Sequence, residues 1–240
     1  MATITVLAPR GLGDAVVCLP SCYELVRQGH TVNLLNAGSV HWAKHLPLLA
    51  EIGTEREGEI RDVSHSLDYY TDLRMVAAVA LRLNVMPPII QEPPWLYRPE
   101  LTLEGLPEGY IVVVPRGSQD YKAFSAEQVQ PLADEWPIVV VHDRPLPEMP
   151  GVNLTGQTKP EELFAVIANA RAVVSVDTGS LHVTGAMGVP LVAVAGGTIN
   201  ALSFCADYTP SIWLTCQRSE LVPGKRIAEG LRALIEEHDL

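Results

Sequence analysis

Apolar runs long enough to cross a bilayer are missing from this 240-residue chain, although hydrophobic residues make up 48% of it. The stretch between Asp177 and Asp207 carries no Asp, Glu, Lys or Arg. Gly185, Gly188, Pro190, Gly196 and Gly197 cut it into pieces too short to cross a bilayer, so no transmembrane segment is expected. Cysteine is scarce: Cys18, Cys22, Cys205 and Cys216 form no Cys-x-x-Cys pair, and no His cluster stands at zinc spacing. That argues against a structural zinc site and a disulfide framework, and leaves free thiols in a reducing cytoplasm. Basic charge is in deficit, with 17 Lys and Arg against 28 Asp and Glu and a net charge of −11. A nonspecific nucleic-acid binder needs the opposite balance, so nucleic acid is not favoured as a partner, although a local basic cleft is compatible with it. Met1 to Pro20 has no basic leader, and Pro9, Arg10 and Asp14 break its apolar run, so no signal peptide is expected.

What is present is most informative from Val173 to Thr198, V-V-S-V-D-T-G-S-L-H-V-T-G-A-M-G-V-P-L-V-A-V-A-G-G-T. An apolar strand, Ala172 to Val176, ends in Asp177. The small residues Thr178, Gly179 and Ser180 open a helix that reaches Met187. Gly188 and Pro190 stop that helix, and a second strand begins at Leu191. The first N–H groups of a helix lack internal partners, and the helix dipole is positive there. Small residues let an anion reach that backbone, so a phosphate or diphosphate is the natural guest.

The rest of the chain repeats this grammar. A strand at Ile4–Ala8, a turn Gly11-Leu12-Gly13-Asp14, a helix from Ala15 to Gln28 and a strand at Thr31–Leu35 make one βαβ unit, which implies parallel strands. Helices are expected over Val40–Glu51 and Leu67–Leu83. Pro87, Pro88, Pro93, Pro94 and Pro99 mark a crossover. Beyond it come a strand at Tyr110–Val114, a helix at Ser125–Glu135 and a strand at Ile138–Val141. A helix capped by Thr158 then reaches Ala170. The chain closes with a strand at Ile212–Thr215 and a helix at Lys225–His238. The reading is α/β with two Rossmann-like parallel-sheet domains, residues 1–100 and 101–240, facing each other across a cleft. Ligands bind beyond the carboxyl ends of such strands.

Several residues could carry chemistry there. Asp14 is either a helix-start carboxylate held by the dipole or a general base. Gly11-Leu12-Gly13 begins a dinucleotide fingerprint, but Val16 stands where its third glycine belongs. The second strand ends in Asn36 rather than in a ribose-binding acid, which argues against a nicotinamide or flavin enzyme. Asp177 could cap the following helix or bond sugar hydroxyls. His182 could pack or support catalysis, and Lys122 could be a solvated loop cation or a point charge on phosphate. Asp143, after the Ile138–Val141 strand, could touch a ribose.

Four segments together resemble glycosyltransferase family 9, the bacterial heptosyltransferases. They are Gly13-Asp14 with Leu19-Pro20; Ser118-Gln119-Asp120-Tyr121-Lys122-Ala123-Phe124; Leu154-Thr155-Gly156-Gln157-Thr158; and Asp177-Thr178-Gly179-Ser180-Leu181-His182 with Gly188-Val189-Pro190. The chain departs from the family pattern at Phe124, where the family has Trp, and at Gly197, where it has Pro; its first half is short for the family. The resemblance implies a GT-B fold and inverting, metal-independent transfer of a heptose or hexose from a nucleotide-diphosphate sugar, ADP-linked sugars being favoured. The donor is a co-substrate, and no resident cofactor or metal is implied. Asp14 would be the catalytic base. Gly13, Ser118, Lys122, Thr178, Gly179 and Ser180 would hold the donor diphosphate. Asp177 would meet the sugar, His182 would support that turn, and Asp143 would reach the nucleoside.

The acceptor could be a saccharide, another hydroxyl compound, or a hydroxymethylated base of viral DNA. Arg10, Lys44, Arg56, Arg61, Arg74 and Arg82 are available to face DNA. The competing classes are a non-catalytic nucleotide or nucleotide-sugar binder and a GT-B-like epimerase or hydrolase.

Overall fold

The computed structural model describes residues 1–37, 42–64, 75–85, 94–196 and 209–240. The first half forms a four-stranded parallel sheet from β1 (Thr3–Ala8), β2 (Thr31–Asn36), β3 (Ile52–Gly53) and β4 (Glu59–Asp62), in the order β3-β2-β1-β4. Helix α1 (Leu12–Arg27) connects β1 to β2, and α2 (Met75–Leu83) packs on α1. The second half forms a six-stranded parallel sheet from β5 (Ile111–Val114), β6 (Ile138–Val140), β7 (Val152–Asn153), β8 (Ala172–Val176), β9 (Leu191–Gly196) and β10 (Ser211–Cys216). Its order is β10-β9-β8-β5-β6-β7. Helices α3 (Ala126–Ala133), α4 (Pro160–Ala168), α5 (Gly179–Ala186) and α6 (Gly224–Glu237) fill the crossovers and close the chain.

Both sheets reverse their direction of growth beside their first strand. In the first sheet the chain adds β2 and β3 on one side of β1 and then places β4 on the other. In the second it adds β6 and β7 on one side of β5 and then β8, β9 and β10 on the other. Crossovers diverge at such a reversal and leave a crevice at the carboxyl ends of the flanking strands.

The core follows from strand periodicity. Side chains alternate between faces, and strands buried on both faces are apolar throughout. Val112, Val114, Val139 and Val173 face the layer that holds Phe164 of α4 and Leu181 of α5. Ile111, Val113, Val140 and Val174 face α3 and α6, where Leu132, Ile227 and Leu231 are buried. The first of these layers is continuous with the core of the other half, through Val16, Leu19 and Leu25 of α1. Cys18 and Cys22 lie in that shared core. Burial pushes the Cys22 thiol up to about 12, which makes it packing material rather than a nucleophile.

Several boundaries differ from the sequence expectation. Helix α1 begins at Leu12 rather than Ala15, because the Asp14 carboxylate reaches back to accept from the Gly11 N–H at 2.9 Å, closing the first turn. The residue capping α4 is Lys159, not Thr158: the Lys159 N–H donates to Glu162 at 2.7 Å, and Pro160 takes the first helical position. The helix expected over Val40–Glu51 is a single 3-10 turn, Trp42–Lys44, within its described part; Pro47 cannot continue a helix. Residues 67–74 of the helix expected at Leu67–Leu83 lie outside the described residues, and the remainder is α2. The short strands β3, β4 and β7 carry too little apolar pattern to be read from sequence.

Candidate active site

Both reversal points open toward the same place. The loop after β1 leads into α1 and carries Gly13 and Asp14 in the first helical turn. The loop after β5 folds back on itself: Gly117 N–H donates to Lys122 O at 2.7 Å, Lys122 N–H to Gln119 O at 2.9 Å, and Arg116 bridges Ala123. This leaves Ser118 exposed at its tip and brings Lys122 back toward the sheet. The turn after β8 carries Asp177, then Thr178 as the residue preceding α5.

The long-range contacts join these pieces. Lys122 Nζ donates to Asp177 Oδ2 at 2.5 Å, and both side chains are largely buried. Helices α1 and α5 pack against each other at their first turns. A Cβ on Gly13 would stand 2.5 Å from the His182 ring, and one on Gly179 would stand 2.9 Å from Leu12 Cβ and 3.2 Å from Gly13 N. Only the absence of side chains at Gly13 and Gly179 lets the two turns approach this closely. Further ties lie behind the contact. The Trp95 and Leu96 N–H groups both donate to Ala186 O, at 2.7 and 3.3 Å. The Tyr23 hydroxyl of α1 donates to Trp95 O at 2.8 Å.

His182 is buried, with Asp14, Asp177 and Lys122 close enough to act on it. Burial lowers its pKa below the ordinary value, the two carboxylates oppose that shift, and Lys122 reinforces it. The ring is therefore a neutral spacer between two carboxylates near neutral pH. Whereas α1, α3 and α4 each have a side chain three residues in, Asp14, Gln128 and Glu162, that accepts from the N-cap N–H, at the α5 N-terminus the Thr178 side chain makes no capping bond. Its first N–H groups, at Gly179 and Ser180, consequently receive no side-chain acceptor from Thr178, next to a lysine that already binds an anionic oxygen. Such an arrangement suits a phosphate.

The structure thus brings Gly13, Asp14, Lys122, Asp177, Thr178, Gly179, Ser180 and His182 together, with Ser118 at the rim. Asp143 is exposed beyond the end of β6 and is bound to His142 at 3.1 Å. It lies at the carboxyl end of the strand next to β5, on the same edge of the sheet as the rest but without a contact to them. Sequence reasoning missed Asn36 as a contributor: its buried amide donates to the Pro9 and Gly11 carbonyls of the loop that carries Asp14. An amide in place of the expected acid at the end of β2 was the available signal. A cavity of about 240 Å3 opens elsewhere, at the amino end of β5 between residues 102–110 and α4, remote from these groups. Among the described residues no group of three His, Cys, Asp or Glu could hold a metal ion, and no helix is long and apolar enough to cross a membrane. Of the cations considered for a DNA acceptor, Arg61 is bound to Glu59 and to Leu83 O, and Arg74 lies outside the described residues.

Comparison with known proteins adds a family. The sequence model of glycosyltransferase family 9 (heptosyltransferase) matches residues 97–203. No curated protein matches the sequence. Among solved structures, the chain is similar to a family 9 glycosyl transferase from Veillonella parvula, with a TM-score of 0.74 and 12% identity over 98% of this chain and 97% of that one. It is also similar to the E. coli ADP-heptose LPS heptosyltransferase II, with a TM-score of 0.64 and 16% identity over 99% and 100% of the two chains. A third is the E. coli heptosyltransferase WaaC with ADP, with a TM-score of 0.69 and 14% identity over 97% and 99%. At these identities the likeness is one of fold, and it extends over both sheets. Residues 97–203, which match the family 9 model, hold the β5 loop, the Lys122–Asp177 pair and the start of α5, and the chain as a whole is built on the GT-B plan.

Proposed function

We propose that the protein transfers a sugar, heptose or hexose, from a nucleotide-diphosphate donor to an acceptor hydroxyl, with inversion and without a metal ion. An ADP-linked donor is favoured, in keeping with the ADP and ADP-heptose in the names of the similar structures. The observation that carries the reading is the meeting of two helix starts, one bearing a carboxylate of its own and the other facing a buried lysine.

The chemistry follows from charge. As the acceptor oxygen attacks the anomeric carbon, Asp14 takes its proton. The bond from that carbon to the diphosphate breaks on the opposite face, and its electron pair leaves with the nucleoside diphosphate. Negative charge grows on the leaving group, where Lys122 and the N–H groups of Thr178, Gly179 and Ser180 stabilise it, with Ser118 and Gly13 completing the cradle. The fixed donors are worth most in a site that excludes water. Lys122 exchanges its carboxylate partner for phosphate, and Asp177 is released toward the sugar hydroxyls. His182 holds the turn, and Asp143 meets the ribose. The acceptor is a saccharide or another hydroxyl compound.

A binder without catalysis draws on one observation: the family match leaves out residues 1–96, where Asp14 lies. Asp14→Asn separates the two readings. With ADP-heptose as the donor probe, turnover should fall roughly 10²- to 10⁴-fold while ADP affinity stays within about twofold. Equal turnover in the two proteins would overturn the assignment of the base. Thermal midpoints with ADP, UDP, GDP and dTDP should rise most for ADP, since a ligand stabilises according to its affinity.

A further inference from the structure

The glycine loop before α1 is held from below by one side chain. Asn36, the last residue of β2, is buried, and all of its polar atoms face protein. Its Nδ2 donates to Pro9 O at 2.7 Å and to Gly11 O at 3.1 Å, and its Oδ1 accepts from Ala43 N–H at 2.9 Å. The same Gly11 peptide group is the anchor of the candidate base, since Gly11 N–H donates to Asp14 Oδ2 at 2.9 Å. Gly11 O also accepts the first backbone bond of α1, from Ala15 N–H at 3.3 Å. One residue therefore receives Asn36 on its carbonyl side and Asp14 on its amide side.

The chemistry of this position is selective. Two carbonyl oxygens converge on the Asn36 amide and need donors; a carboxylate there would set an acceptor against both. In dinucleotide-binding folds an acid at the end of the second strand turns outward to a ribose. Here an amide occupies the equivalent place and turns inward. It thereby fixes two of the three residues between β1 and α1, which otherwise have no strand neighbour.

We propose that Asn36 is a positioning residue: through Gly11 it fixes the rotamer and location of the Asp14 carboxylate at the interface of the two halves. The geometric part of this inference stands on the hydrogen bonds alone, and its catalytic part rests on Asp14 being the base. Holding a reacting group in place is a kcat effect, because the donor groups on the other sheet are untouched.

The test uses the whole chain. In the wild-type protein, exchange-resolved NMR should find the Asn36 Nδ2 protons and the Gly11 amide protected; rapid exchange of both overturns the proposal without any substitution being made. In Asn36→Ser and Asn36→Asp, checked for folding by near-UV circular dichroism, Gly11 exchange should speed up about tenfold or more, with Asn36→Asp the more affected. With ADP-heptose as the probe, kcat should fall about tenfold while ADP affinity holds within about twofold. Wild-type Gly11 exchange in the folded variants overturns the positioning role, and so does an equal loss of ADP affinity. Should Asp14→Asn retain full turnover, the base reading fails, yet the Gly11 exchange result still decides whether Asn36 fixes that carboxylate.

Discussion

Helices α1 and α5 start at equivalent places, at the carboxyl end of a strand beside the reversal point of each sheet, and they are finished in opposite ways. The start of α1 is self-sufficient. Asp14 satisfies Gly11 N–H, and Asn36 satisfies the carbonyls of Pro9 and Gly11. The start of α5 has no side-chain cap at Thr178, and the nearest charge pair is Lys122 with Asp177. A helix start that supplies its own anion has nothing to gain from a phosphate, whereas one without an anion attracts it. The two sheets thus share a reversal of strand order and finish their helix starts differently, one with a fixed carboxylate and the other with an uncapped backbone.

The largest effect should come from removing the cation. Lys122→Ala deletes a charge-assisted contact worth about 1.5–3 kcal/mol, so ADP binding by calorimetry should weaken roughly 10- to 100-fold. An unchanged affinity would break the asymmetry between the two starts. Next in size is the contact between them. A Cβ at Gly13 meets the His182 ring at 2.5 Å, so Gly13→Ala should cost about 1–3 kcal/mol of stability in denaturant melts. A neutral outcome would mean that the two turns are free to part at little cost.

Asp177→Asn sharpens the comparison further. It frees Lys122 from its carboxylate, so ADP affinity should rise a few-fold, roughly 1 kcal/mol or less, while transfer from ADP-heptose declines. A weaker ADP complex would show that Asp177 orients the lysine rather than competing with the phosphate.

The smallest effect concerns pH. His182 has an ordinary pKa of 6.5 that burial lowers in the fold. Below that value the unfolded chain binds a proton that the folded chain declines, so stability is complete above it and shrinks as pH falls. Thermal midpoints taken from about pH 7.5 down to about pH 5.5 should decline, and His182→Gln should flatten that slope. Parallel slopes in the two proteins would assign the pH dependence to other groups.

Legibility in the sequence tracked how locally each feature is encoded. Strand β8, from Ala172 to Val176, was readable to the residue because both of its faces are buried and Asp177 ends the apolar run. Strand β4, Glu59-Ile60-Arg61-Asp62, was not readable: it is an edge strand with polar residues on its open side. Asp14 and Asp177 stand out in the sequence as candidates by their places at a helix start and a strand end, and Lys122 as a cation in the loop after β5. Their mutual arrangement does not. The pairing of Lys122 with Asp177 and the seating of His182 against Gly13 join segments far apart in the chain, and no periodicity records such a meeting. Asn36 was noticed only as the acid that is missing, because its partners are main-chain carbonyls that carry no residue identity.

The apolar layer beneath α4 and α5 runs without a break into the core beneath α1. Heat should therefore melt both sheets in a single cooperative transition rather than one after the other. A fragment consisting of the second sheet alone would leave the flank of α5 bare to water and should aggregate, so exchanging the first half for that of another protein calls for redesign of the α1 surface as well as of the loops.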